Sequence, residues 1–411
     1  MTAPTGARVR SRRLTERLAL NRMTGAAAAI VVLMTLGEEL WKRFLPKYLQ
    51  ALGAPAVAIG LYGSTRDLVD GLYQYPGGWL ADRFGRRAAL RVFIALATAG
   101  YGLLLLAPAG VFEPAWVAAL PAVALVMAWS SMASPTLFAV IGDALPPAQR
   151  TMGFSVQSVL RRLPIALAPV IGGTLLVARG PIKGVQAGLV VAIAVAGIAW
   201  IVTTAIPTTL LPPAPAVTVM GVWRTLPSPL RRLLASDILV RTCESMVDVF
   251  VVLYALDHVG VSAAEFGSLI TIQMAVAIAG YFPAAGLRRR VGAKPLVIAT
   301  FLAFALFPLA LVSASTYAGL AVAFAVAGLR EFGEPARKAL IVDLVTPPLR
   351  ARSVGLYYLT RSLTVAPAAL VGGLLWGVSP ALPFVVAAAI GLTGAALFAL
   401  RGSSAAAAAD A

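Results

Sequence analysis

Unbroken apolar stretches recur along the entire chain, bounded by short polar turns, and each is close to the roughly 20 residues a helix needs to cross a bilayer. A chain built this way folds as a bundle of membrane helices. The stretches do not alternate polar and apolar residues, which excludes a closed β-barrel. Of 411 residues, 59% are hydrophobic and 12% charged, against about a quarter charged in a soluble domain. Twelve spans are expected, near 22–49, 56–80, 88–108, 115–142, 151–178, 183–206, 234–258, 263–287, 293–314, 316–343, 350–377 and 380–400. The division that follows is a basic N-terminal segment (1–21), a first bundle (22–206), a linker (207–232), a second bundle (233–401) and a disordered tail (402–411). The linker carries six prolines with Arg224, Arg231 and Arg232.

The net charge of +17 could suggest nucleic acid, but its distribution argues for a membrane instead. Of 34 Lys and Arg, 21 lie in alternate polar segments, 3 in the intervening set (Lys47, Arg179, Lys183) and 10 inside spans. That bias is the positive-inside pattern. It predicts a multi-pass protein of the cell membrane with both termini in the cytoplasm. Cys243 and His258 each stand alone, so no disulfide or metal cluster is expected, and His258 reads as an interfacial residue. No removable signal peptide, nucleotide-binding loop or catalytic triad is legible, and neither enzyme activity nor a cofactor is expected.

The halves repeat. At an offset of 200, Pro135, Asp143, Arg150, Arg161, Gly172 and Gly173 match Pro335, Asp343, Arg350, Arg361, Gly372 and Gly373. At 206, Glu38, Phe44 and Tyr48 match Glu244, Phe250 and Tyr254; at 207, Gly53 and Gly60 match Gly260 and Gly267. Six spans separate equivalent positions, so the repeats are parallel and related by an axis along the membrane normal. Spans 3, 6, 9 and 12 have no charge in their cores and suit lipid. The other spans hold ten basic and eight acidic side chains that require a polar interior.

Between spans 2 and 3 runs Gly78-Trp79-Leu80-Ala81-Asp82-Arg83-Phe84-Gly85-Arg86-Arg87. A weaker copy contains Pro283, Leu287, Arg290, Gly292 and Lys294, with Arg289 in place of Asp82. The complete run resembles the signature of the major facilitator superfamily, over residues 22–401. The Asp143/Arg150 and Asp343/Arg350 pairs are similar to that family's cytoplasmic charge network. The resemblance implies two six-helix bundles rocking about a central cavity. It also implies that Asp82 docks at the start of span 11 as a conformational latch, within a turn formed by Gly78, Arg83, Gly85, Arg86 and Arg87. Ala168-Pro169-Val170-Ile171-Gly172-Gly173 resembles part of the drug–proton antiporter motif of the family.

Counting along each helix places Glu38, Arg66, Asp70, Arg161, Glu244, Asp248, Arg330, Glu334 and Arg361 near mid-depth. Many have an opposite charge four residues away: Glu38–Lys42, Glu39–Arg43, Arg66–Asp70, Arg330–Glu334 and Glu334–Lys338. Such pairs can be self-satisfied and purely structural. The symmetric placement of Glu38 with Glu244, and of Arg161 with Arg361, suggests more. Glu38, Glu244, Glu334, Asp70 and Asp248 are candidate proton carriers. Arg43, Arg66, Arg161, Arg330 and Arg361, with Tyr48, Tyr254, Trp129 and Tyr357, are candidates for binding solute. The expectation is a monomeric secondary transporter of a small organic molecule, proton-coupled and inclined to efflux. Uptake or exchange of a polar, zwitterionic or anionic solute is the alternative, and a non-transporting sensor or scaffold a second.

Overall fold

The computed structural model describes residues 21–207, 227–344 and 350–402, and their regular structure is helical. Span 1 comprises α1 (Arg22–Glu39), a tight turn at Lys42–Phe44 and α2 (Leu45–Ala51). Spans 2 and 3 are α3 (Ala56–Phe84) and α4 (Arg86–Leu106). Span 4 comprises α5 (Ala119–Met127), a π-helical turn at Ala128–Met132 and α6 (Ala133–Ala144). Spans 5 and 6 are the two arms of α7 (Pro147–Val202), which reverses at Gly180.

The second half repeats this order. It contains α8 (Ser228–Leu253), extended by a π-helical turn at Tyr254–Val259, then α9 (Ala263–Val291) and α10 (Ala293–Val312). Next come α11 (Tyr317–Leu329) with α12 (Glu334–Asp343), α13 (Arg350–Val365) with α14 (Ala368–Val378), and α15 (Leu382–Arg401). Eight helical segments among the described residues are long and apolar enough on their own to cross a bilayer. Those outside this set include α3 and α8, whose mid-helix charges (Arg66, Asp67 and Asp70; Arg241, Glu244 and Asp248) line an internal chamber.

Local chemistry sets the boundaries. Asn21 caps α1 by accepting from the Met23 and Thr24 amides, and its Nδ2 donates to Ala144 O at 2.8 Å, tying span 1 to span 4. Gly85 (φ 84°) and Gly292 (φ 80°) make the turns at the end that holds both described termini. A positive φ there is favourable only without a Cβ, which accounts for the glycine in both copies of the turn. We call this the terminal end. The opposite, distal end has Gly53 and Gly260, at φ 84° and 81°.

Large apolar side chains remain exposed on the expected outer spans, among them Val92, Ile198, Ile201, Leu306, Val385 and Leu392. Such a surface requires hydrocarbon around it. Within each half α1 packs on α7 and α8 on α15, while α7–α9 and α3–α14 contacts join the halves.

Candidate functional site

Among the described residues, three of the interruptions of regular helix lie beside the charged cavity. Span 1 breaks at Lys42–Phe44, span 4 at Ala128–Met132 and span 10 between Leu329 and Glu334. The last two are equivalent at the offset of 200. Irregular backbone at membrane depth is tolerated where it is covered by protein or lines a wet cavity.

The cavity between the halves has a volume of about 380 Å³. Five cationic side chains line it (Lys42, Arg43, Arg66, Arg161, Arg330), with three carboxylates (Asp67, Asp70, Asp248). Tyr62, Ser130 and Gln273 add polar groups, and Phe266, Phe307 and Phe324 an apolar wall. A second chamber contains Arg241, Glu244 and Arg361; a third, in the first half, contains Glu38, Trp129 and Arg161.

Most charges are compensated. Lys42 Nζ donates to Glu38 at 2.8 Å and Arg43 Nε to Glu39 at 3.1 Å, as their spacing predicts. Ser130 also donates to Glu38, at 2.7 Å. The other expected pairs are corrected by the structure. Arg66 binds Asp67 (3.0 Å) and crosses to Asp248 of the other half (2.8 Å), while Asp70 accepts from Ser131 at 2.5 Å. Arg330 reaches Glu244 at 3.4 Å and lies against the faces of Phe304 and Phe307. Glu334 binds Arg241 (3.0 Å) and Arg337 (2.5 Å). The break after Leu329 removes Arg330 and Glu334 from one continuous helical face, and partners from neighbouring helices replace the local ones.

One central residue has no counterpart in the sequence-based set. Asp237 is wholly buried, and its Oδ2 accepts from Arg337 (2.8 Å), Tyr357 (2.9 Å) and Arg361 (3.4 Å). Asp237 falls in the first turn of the expected span 234–258, and its i,i+4 relation to Arg241 is the signal the sequence offers for it. Tyr357 is accordingly buried, with its hydroxyl committed to Asp237. Tyr48 and Tyr254 donate to the backbone carbonyls of Leu104 (2.6 Å) and Val312 (3.1 Å). These bonds make both tyrosines packing residues of the two halves rather than free binding groups.

In the turn, Arg87 donates to the Ile206 (2.5 Å) and Thr204 (2.6 Å) carbonyls. It caps the end of span 6, where unsatisfied carbonyls attract a cation. Arg83 lies over the Phe84 ring, and Arg86 is buried. Gly78 falls within α3. The side chains of Asp82, Asp143, Arg150, Asp343 and Arg350 lie outside the described residues.

The distal side of the cavity is closed by backbone-to-backbone contact between halves. A Cβ on Gly60 would lie 2.5 Å from Ala369 O, and on Gly267 2.4 Å from Pro169 O. On Gly173 it would lie 2.1 Å from Ala263 O, and on Gly373 2.7 Å from Ala56 O. These are two symmetry-related pairs of contacts. Lys47 and Asp257 form an ion pair across the same seam.

Two helical halves that enclose a charged cavity, with one end sealed by close contacts, define a membrane solute transporter. The sequence profile of the Major Facilitator Superfamily matches residues 21–237 and 233–409, and the chain belongs to that family. It is 22% identical over 363 residues to an uncharacterized MFS-type transporter of Methanocaldococcus jannaschii, covering 85% of this chain and 87% of that one. Among solved structures, the nucleoside transporter NupG superposes with a TM-score of 0.76 at 13% identity, over 93% of this chain and 100% of that one. A POT family transporter in complex with a thioalcohol-conjugated peptide gives 0.75 at 12% identity, over 92% and 95%.

Proposed function

We propose that the protein moves a small polar solute bearing ionised groups, zwitterionic or anionic, by proton-coupled alternating access. The observation that carries this reading is the lining of the central cavity, where charged side chains of both halves outnumber aromatic ones. A cavity with five cations and three carboxylates favours a hydrated, charged guest over a lipophilic one. The segment Ala168 to Gly173, which suggested drug efflux, forms part of the distal seal. Close packing is sufficient reason for its proline and glycines, and direction becomes a question for flux measurement. The positive-inside bias supports a cytoplasmic terminal end and a cell-membrane location. The chain has what a monomer needs, since both cavity walls come from one polypeptide.

Glu38 and Glu244 are the proposed proton carriers, with Glu334, Asp70 and Asp248 in support. Each of the first two sits beside cations that solute could displace, Glu38 with Lys42 and Glu244 with Arg241 and Arg330. Exchange of such a cation between carboxylate and solute would link protonation to binding. In proteoliposomes with an imposed pH gradient, Glu38→Gln and Glu244→Gln should abolish gradient-driven flux and retain downhill exchange. Unchanged gradient-driven flux in both variants would exclude them as carriers.

A further inference from the structure

The two halves present their equivalent arginines differently. Arg161 and Arg361 match at the offset of 200, and the structure preserves the register around them. A Cβ on Gly172 would meet Leu40 O at 2.0 Å and the Phe44 ring at 3.1 Å. A Cβ on Gly372 would meet Met246 O at 2.1 Å and the Phe250 ring at 3.2 Å. Leu40 and Met246, and Phe44 and Phe250, are each 206 residues apart. Spans 1 and 5 therefore pack as spans 7 and 11 do, and residues at these offsets occupy equivalent places.

At that offset Asp237 corresponds to Val31. In the second half, Asp237 holds Arg361 at 3.4 Å, and Arg361 also lies 4.8 Å over the Tyr358 ring. In the first half Val31 lines the same small chamber as Arg161 and offers no charge. Among the described residues Arg161 has no hydrogen-bond or ion-pair partner, and it is exposed to the cavity. The other lining cations are engaged: Lys42 by Glu38, Arg43 by Glu39, Arg66 by Asp67 and Asp248, and Arg330 by Glu244. Glu38 lies within electrostatic reach of Arg161, but it makes no hydrogen bond or ion pair with it, and its Oε1 accepts from both Lys42 and Ser130.

We propose that Arg161 is the docking point for the anionic group of the solute, and that Asp237 withholds the equivalent Arg361 from that task. The proposal rests on the transport reading and adds to it a polarity: the anionic end of the guest is held by the first half. A planar guanidinium with open donors suits a carboxylate or phosphate, which it can bind through two parallel bonds. The substitution of valine for aspartate between the halves is what converts a structural arginine into a binding one.

The test labels the purified full-length protein with phenylglyoxal, which attacks accessible guanidines, and maps adducts by mass spectrometry. Arg161 should be modified roughly tenfold or more faster than Arg361, whose Nη1 contacts the buried Asp237 carboxylate at 3.4 Å and whose guanidinium lies over the Tyr358 ring. Butyrate, 4-aminobutyrate or inorganic phosphate should protect Arg161, and butylamine should not. Asp237→Asn should raise the labelling of Arg361; Val31→Asp should lower that of Arg161 and remove the protection. If a variant does not fold, the comparison of Arg161 with Arg361 in the unaltered protein still decides. Equal labelling of the two arginines, or protection by none of the three anions, overturns the proposal. Absence of solute flux in liposomes with these labelling results intact would instead reject the transport reading alone.

Discussion

Asp237 shows how much one side chain can organise when it lies among helices. It is wholly buried, and Arg337, its closest ionic partner, is 1% exposed. Breaking a buried pair from one side strands the other charge, at a cost of about 3–5 kcal/mol. Asp237→Ala should therefore lower the thermal unfolding midpoint of the detergent-solubilised protein markedly. A midpoint equal to that of the unaltered protein would show that Arg337 finds another partner. The sequence disclosed each charge but only the partners that lie close along the chain. Glu38–Lys42 and Glu39–Arg43 were legible because both members lie within one turn of chain. Arg66–Asp248, Arg330–Glu244 and Arg241–Glu334 were not, because each joins residues 86 or more positions apart.

At the scale of elements, glycine determines how closely the halves approach. Gly60, Gly173, Gly267 and Gly373 each face a carbonyl oxygen of the opposite half, on α14, α9, α7 and α3 respectively. A methyl group at Gly267 would overlap Pro169 O and force α7 and α9 apart. Overpacking of this kind costs roughly 1–3 kcal/mol, which corresponds to about 5- to 150-fold in a two-state population. Gly267→Ala should shift the protein toward a distally open state. Spin labels at Gln50 and Ser262, in a Cys243→Ala background, would read this as a longer inter-half distance. An unchanged distance distribution would mean that the seal does not depend on backbone contact. The repeat in the sequence located these glycines in pairs. Their role required the packed helices, since a glycine in a membrane helix reads equally as a bend or as a contact.

For the whole molecule, the proposed exchange between end states involves the distal seal and the latch proposed at the terminal end. Lys47–Asp257 crosses the distal seam with side chains 22% and 26% exposed. A partly hydrated pair of this kind contributes about 0.2–1 kcal/mol. Lys47→Gln should consequently perturb the same spin-label distance less than Gly267→Ala, and a larger effect would place the seal in the ion pair. At the terminal end, Asp82 remains the proposed latch. Asp82→Asn should favour the terminally open form, seen as faster labelling of a cysteine introduced at Arg361; unaltered labelling would leave the turn a topological element alone.

The sequence by itself determined the helical membrane class, the approximate course of the spans, the parallel repeat with its offsets and the family to which the turn belongs. Those features are written in contiguous segments or in fixed separations along the chain, so hydropathy, charge bias and self-alignment recover them. Only the tertiary structure decided which charges neutralise one another, that the two halves meet through glycines, and that Arg361 is engaged while Arg161 is open. A charge inside a multi-helix bundle selects the partner a few ångströms away, and that proximity comes from how the helices pack. Symmetry in the sequence predicted two like arginines; one aspartate facing one of them made the two different.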